Sequence, residues 1–176
     1  MDGHLQRGAQ GAAGDIGHFF VGNTQADELP LCRCGNFGCL EAYAAGWAIT
    51  KQLQVLGYTN ISLMDITALA KEGDRVVLGL LQASGRLVGE ALAQAVSLIN
   101  PSLVVLGGRL AECQDHLLAG VRETIYRRSL PLATRNLQVV NSQLGDMAAL
   151  HGAAYLVSDL VYAPATVDQT LSRKMG

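Results

Sequence analysis

Charge is scarce in this sequence, and what there is nearly cancels. Acidic and basic residues make up 16% of 176 residues, and the formal net charge is −2. No basic excess is present, which argues against a nucleic-acid surface within these residues. No unbroken apolar run approaches the roughly 18 residues of a membrane span. No signal-peptide pattern is visible, so the expected setting is the reducing cytoplasm, where disulfides are rare. Internal repeats and low-complexity segments are missing as well. Apolar residues, by contrast, reach 49%. That is enough for a real core, at a length that predicts one domain or slightly more.

Cysteine is also rare, and its placement is uneven. Of four cysteines, Cys32, Cys34 and Cys39 fall within eight residues, whereas Cys113 is far away. Buried free cysteine usually behaves as a small hydrophobe. A polar, glycine-rich loop is a poor setting for that role. The stretch Cys32-Arg33-Cys34-Gly35-Asn36-Phe37-Gly38-Cys39 therefore reads first as a metal site. Zn²⁺ takes four tetrahedral nitrogen or sulfur ligands, and Cys₃His is a common structural set. Gly35 and Gly38 can supply the positive φ of a tight knuckle, and Asn36 tolerates it. His18, fourteen residues before Cys32, is the leading fourth ligand, with His4, His116 and His151 as alternatives. Four protein ligands would make the zinc structural, with no open position for water.

The rest of the chain reads as α/β. Met1-Asp2-Gly3-His4 resembles a hairpin turn. Glycines 8, 11, 14 and 17 suggest backbone held close to a partner. Ile16 to Val21 reads as a short strand that starts near His18, and Gly22 to Leu31 as a polar connection. Helices are expected from Leu40 to Ala45, with Gly46 ending or interrupting the pattern, and from Trp47 to Leu56. Trp47, Ile49, Leu53 and Leu56 are the candidate core of the second. Asp65 to Lys71 should be helical, with Asp65 as N-cap. The longest pattern, residues 74–100, keeps apolar residues at i, i+3 and i+4 over about 40 Å. Gly79, Gly85 and Gly89 inside it each cost roughly 1 kcal/mol against alanine, which implies a closely packed neighbour. Leu103–Leu106 is a buried-type strand running into Gly107-Gly108. A helix from about Asp115 to Arg128 and a strand from Leu137 to Val140 complete an α/β crossover. A helix from Met147 to Tyr162 carries a small-residue face (Ala148, Ala149, Gly152, Ala153, Ala154). Pro164 breaks it before a short amphipathic tail, residues 163–176, helical near Thr166–Leu171.

Four of these stretches resemble the ROK family, which groups bacterial sugar kinases with sugar-responsive repressors. Gly14-Asp15-Ile16-Gly17-His18 is similar to the family's Gly-Glu-x-Gly-His. Cys32-Arg-Cys-Gly-Asn-Phe-Gly-Cys-Leu-Glu41 resembles its Cys-x-Cys-Gly-x-x-Gly-Cys-x-Glu signature. Asn100-Pro101 through Gly107-Gly108, and Leu144-Gly145 through Gly152-Ala153-Ala154, resemble its Asn-Pro…Gly-Gly strand and its final helix. The likeness runs over essentially the whole chain.

The resemblance implies an actin-like, ribonuclease-H-type α/β fold in two lobes, with residues 1–176 as the C-terminal lobe and the zinc loop, 18–39, inserted in it. The family's Asp-x-Gly-Gly-Thr phosphate loop and its Asn-Asp pair, which carries the catalytic base, are not in this sequence. No catalytic residue is therefore expected here, and ATP would matter only if the full-length protein were a kinase. What the resemblance leaves is half of a sugar site. Asp15 stands where the family has a glutamate that accepts sugar hydroxyls, one methylene shorter, and Glu41 matches the second carboxylate. His18 would place one ring nitrogen on zinc and the other toward a sugar hydroxyl. Gly107 and Gly108 match the adenosine-side loop, although tight strand-to-helix packing explains them as well.

Two functions compete. The favoured one is the sugar-binding and dimerisation lobe of a transcriptional repressor. Asp15 in place of glutamate, Arg127-Arg128-Ser129-Leu130-Pro131-Leu132, and Ala163-Pro164-Ala165-Thr166-Val167-Asp168 all resemble repressor members. The other is the C-terminal lobe of a glucokinase-like sugar kinase. The expected partners are a monosaccharide and further copies of the chain, as a homodimer or tetramer through the glycine-notched helix. DNA would be met only by a domain outside these residues, and no membrane is expected.

Overall fold

The computed structural model describes residues 5–22, 28–113 and 115–174. The Asp2-Gly3 turn, His4 and the middle of the connection after Gly22 lie outside the described residues. The α/β class stands. The chain divides into two compact units that part after Asn141.

In the first unit, Ile16–His18 is a single 3₁₀ turn rather than the start of a strand. Only Phe20 keeps a trace of the expected strand, through an isolated antiparallel bridge to Cys39. Helices α1 (Leu40–Ala44) and α2 (Gly46–Val55) follow, separated by Ala45 in extended conformation. The break therefore falls on Ala45, and Gly46 opens the second helix. Ile49 and Leu53 are fully buried, but Leu56 is exposed and Trp47 only half-buried. A helix that ends at Val55 no longer turns Leu56 inward.

Helix α3 (Leu63–Glu72) starts earlier than the spacing predicts. Its N-cap is Ser62, whose hydroxyl accepts from the Asp65 N–H while the Asp65 carboxylate accepts from the Ser62 N–H. Asp65 is thus the reciprocal member of a capping box and not the cap itself.

Helix α4 (Arg75–Ile99) is the frame of this unit. Asp74 caps it by accepting from the Val76 and Val77 N–H groups, and Asn100 ends it in left-handed conformation. The Tyr58 hydroxyl also donates to Asp74. These bonds, chiefly the one from Val77, hold the Asp74 carboxyl below its ordinary pKa. A depressed pKa stabilises the fold above the unfolded value, and the benefit is lost as pH falls through the folded one. Asp74→Ala should accordingly lower the melting temperature at pH 7. The gap to the parent should begin to narrow below about pH 4, the ordinary carboxyl value, and close as pH falls through the lower value of the folded carboxyl. Thermal melts from pH 7 to pH 3 test this.

By length and composition α4 is apolar enough to cross a membrane. It is nonetheless a core helix. Arg86 and Glu90 on it pair with Glu123 and Arg128 of α5 (His116–Arg128) at 2.9 and 2.7 Å. Its other faces supply Val77, Leu81 and Val96 to the core, with no exposure. Two of the three glycines are notches for α5. A Cβ at Gly85 would strike the Leu117 carbonyl, and one at Gly89 would lie 2.8 Å from Val121 O. A Cβ at Gly79 meets nothing within 4 Å, so the implied close neighbour is absent there. The notch at Gly85 and Gly89 is filled by this chain's own helix.

Strands β1 (Leu103–Leu106) and β2 (Gln138–Asn141) pair in parallel, Leu103 opposite Gln138. Helix α5 is the crossover between them, and α6 (Pro131–Thr134) is a single turn before β2. Val96, Val121, Ile125 and Val139 form the core beneath this pair. A second core, around Ile49, Leu53, Ile66 and Leu81, joins α2, α3 and α4 and contains Cys113.

The second unit starts at Ser142. It holds α7 (Ala148–Val161), entered through a 3₁₀ turn at Gly145–Met147, and α8 (Pro164–Lys174). The tail helix is longer than the sequence predicts. No residue of α7 is buried, and among the described residues a Cβ on Gly152 would meet nothing within 4 Å.

Candidate metal and ligand site

The cysteine loop folds as a knuckle closed by backbone bonds. The Cys32 N–H donates to Asn36 O at 2.8 Å, Gly35 N–H to Cys32 O at 3.0 Å and Gly38 N–H to Pro30 O at 3.0 Å. Gly35 and Gly38 take φ of 91° and 75°, as the loop requires, while Asn36 has no positive φ. At Gly38 a Cβ would also run into the Phe20 ring, so close approach adds to the conformational demand. The Leu40 N–H donates to Phe19 O at 2.8 Å, which ties the start of α1 to the residue after His18.

This folding gathers the predicted metal residues. Donor atoms of His18, Cys32 and Cys34 lie within 4.8 Å of one another. The Sγ atoms of Cys34 and Cys39 are 3.7 Å apart. An S–S edge in a tetrahedron with Zn–S of about 2.3 Å is about 3.8 Å, so that spacing suits the ion. Cys32 and Cys39 are buried and Cys34 is exposed. Burial, then the neighbouring Cys34 and Cys32, pushes the Cys39 thiol up to about 11. A hydrogen bond from the Asn36 backbone is the main cause that lowers the Cys34 thiol. Three of the four predicted ligands thus share one spacing, and Cys39 stands beside Cys34 outside that group; the donor set of thiolates and one imidazole suits a divalent metal with tetrahedral preference. Among the described residues, His18 is the histidine that joins the cysteines; His116 opens α5 and His151 lies in α7.

The predicted ligand residues converge on the same histidine. His18 Nδ1–H donates to both carboxylate oxygens of Asp15, each at 2.9 Å. Its Nε2 lies 3.8 Å from Oε2 of Glu41. The bond to Asp15 is the largest cause that raises the His18 pKa. A proton fixed on Nδ1 leaves the Nε2 lone pair for a ligand role, the usual second-sphere arrangement of a metal-binding histidine. Nδ1 is therefore not free to meet another hydroxyl while Asp15 holds it. The Asp15 side chain remains 62% exposed, so it keeps acceptor capacity toward solvent.

Trp47 was legible only as a core candidate, but its indole N–H donates to Oε1 of Glu41 at 3.0 Å. Residues six apart on one helix point about 120° apart and more than a turn and a half away along its axis, so they do not meet. The break at Ala45 is what brings them together. The Arg33 guanidinium lies over the Trp47 ring, 4.8 Å from its centroid. No signal in the sequence pairs these two residues.

Gly107 and Gly108 are exposed beyond the end of β1. Gly108 has φ of 88°, and a Cβ there would meet nothing within 4 Å. Its need is conformational, not the tight packing that offered an explanation for it.

Comparison with known proteins decides the lineage. The ROK family model matches residues 1–160. The chain belongs to the ROK family. A xylose repressor of Caldicellulosiruptor bescii is 32% identical over 178 residues, which covers 93% of this chain and 44% of that protein. The crystal structure of a ROK family transcriptional regulator, described as a homologue of the E. coli MLC protein, gives a TM-score of 0.72. It is 31% identical and the match covers 80% of this chain and 37% of that one. A ROK glucokinase from Streptomyces griseus, solved with glucose and AMPPNP, gives 0.69 at 30% identity, covering 87% and 54%. The ROK relatives thus include both repressors and kinases. The chain spans about two fifths of the length of the curated relatives it matches.

Proposed function

We propose that these residues form the sugar-binding and dimerisation lobe of a ROK transcriptional repressor, in which a structural zinc orders the sugar-site loop. The observation that carries the reading is the meeting of Asp15, His18 and Glu41 beside the cysteine knuckle. His18 is hydrogen-bonded to Asp15 at 2.9 Å, lies 3.8 Å from the Glu41 carboxylate, and is itself within reach of two cysteines. Ionised carboxylates are strong acceptors for hydroxyl donors, which is what a polyol ligand offers. Glu41 is the principal acceptor and Asp15 the second. Cys32, Cys34, Cys39 and His18 would hold the zinc. Bound there with every position filled, the ion would fix the loop rather than activate water.

In this reading the whole protein works in the cytoplasm as a homodimer or tetramer and meets DNA through a helix-turn-helix segment of the longer chain. Sugar binding then changes DNA affinity through a two-site coupling. The glycine notch of α4 is occupied by α5, so self-association through α4 would use its remaining exposed faces. The second reading is the C-terminal lobe of a ROK sugar kinase, with Gly107-Gly108 on the adenosine side; the Streptomyces glucokinase is the observation in its favour.

Calorimetric titration with xylose, glucose and N-acetylglucosamine tests the sugar site. One of them should bind, and Glu41→Gln should weaken it at least about tenfold, the typical worth of a hydrogen bond to a charged group. No binding by the parent would remove the sugar reading. Phosphorylation of glucose by this chain with ATP should be undetectable, because the base and phosphate loop that phosphoryl transfer requires are not among its residues. Measurable turnover would favour the kinase.

A further inference from the structure

We propose that Trp47 positions Glu41, and that Arg33 ties Trp47 to the cysteine loop, so that order in the metal loop sets the aim of the sugar-facing carboxylate. This rests on the sugar reading above and adds a means of regulating that same site.

The indole N–H occupies Oε1 of Glu41 at 3.0 Å. Oε2 is then the oxygen left turned toward His18, at 3.8 Å. An indole donates and does not accept, so it orients a carboxylate without competing for ligand hydroxyls. A carboxylate already held at one oxygen has less rotamer freedom to lose when a ligand binds. The Trp47 side chain also packs against the buried cluster of Cys32, Cys39 and Ala42. Its face carries the Arg33 guanidinium at 4.8 Å. Arg33 lies between Cys32 and Cys34 in the chain, so a change in how those two cysteines are held must move it. A cation over an indole face is attracted by the ring quadrupole, and indole is the best partner for it. The series Cys32/Cys34, Arg33, Trp47, Glu41 is thus continuous by contact. Coupling of this kind is reciprocal: a ligand that fixes Glu41 also steadies the metal loop.

Trp47 is the only tryptophan, so a ¹⁵N-indole-labelled sample gives one side-chain resonance, that of this bond. The measurements use zinc-loaded full chain, with Trp47→Phe, Arg33→Gln and Glu41→Gln as variants. Glu41→Gln should move the indole N–H resonance upfield, as expected when a charged acceptor becomes neutral. Arg33→Gln should move the same resonance more in the parent than in the Glu41→Gln background, because the direct effect of the cation on the ring is common to both. Trp47→Phe should raise the dissociation constant of whichever of xylose, glucose or N-acetylglucosamine binds by about tenfold, with zinc content and circular dichroism unchanged. An indole resonance indifferent to Glu41→Gln, or shifted by Arg33→Gln equally in both backgrounds, would overturn the proposal, even with sugar binding intact. So would Trp47→Phe binding sugar as tightly as the parent. If none of the three sugars binds the parent, the sugar reading falls, while the two resonance shifts still decide whether the loop is wired to Glu41.

Discussion

Cys34→Ser and Cys39→Ser should each abolish stoichiometric zinc and leave a protein that melts far below its parent, while Cys113→Ala should keep about one zinc per chain. The expected gap is large because a structural Cys₃His site is worth on the order of 10–16 kcal/mol near neutral pH, much of it folding energy. Cys39 is also the residue before α1, so a metal bond through its sulfur would anchor the first turn, which carries Glu41. Cys113 is the proper control, but its replacement must be chosen with care. It has no exposed surface, sits in the core that joins α2, α3 and α4, and points its sulfur at the Arg109 carbonyl 3.7 Å away. Serine there would bury a hydroxyl with a poor partner, so alanine is the cleaner change. Metal analysis with thermal melts distinguishes the outcomes. A folded, zinc-free parent, or equal zinc loss in all three variants, would remove the metal site.

The contrast between what could and could not be read in the sequence follows range of interaction. The cysteine knuckle, its glycines and α4 were legible because each is a local pattern. Spacing gives the donors, periodicity gives the helix, and Asn100-Pro101 gives its end. The strands were legible as apolar runs, but their parallel register, Leu103 opposite Gln138, depends on how α5 packs. The Ile16–Val21 stretch was misread because two aromatic residues and a valine suggest a strand. The flanking glycines and the ties to Gly38 and Cys39 bend it into a 3₁₀ turn with one bridge instead. Ser62 and Asp65 were confused because a capping box uses both residues reciprocally. Asp15, His18 and Glu41 came from motif likeness, yet their mutual contacts could not. Trp47 is the clearest case. Its hydrophobic character is local information, whereas its bond to Glu41 exists only because Ala45 leaves the helical conformation.

Opposite signs are expected for one chemical change at two positions of α4. Gly79→Ala should stabilise the chain by about 1 kcal/mol, since alanine outranks glycine in a helix by that amount and a Cβ there meets open space. For a chain of this size that corresponds to a rise in Tm of about 2–4 °C. Gly85→Ala gains the same propensity but must place its Cβ against the Leu117 carbonyl and the Gly120 Cα. Both obstacles are backbone, so no side chain can swing away. Gly120 presents the mirror demand, facing the Gln82 carbonyl and the Arg86 nitrogen. The helices must therefore separate along their length, which loosens Val96, Val121 and Ile125 as well. Overpacking of a tight core costs roughly 1–3 kcal/mol, and separation of backbones belongs at or beyond the upper end. Net destabilisation of about 2 kcal/mol or more should remain after the propensity gain. Denaturant titration of the two variants side by side measures the difference. Equal stabilisation by both alanines would mean that α4 and α5 do not meet at Gly85, and the crossover that places β1 beside β2 would have to be rebuilt.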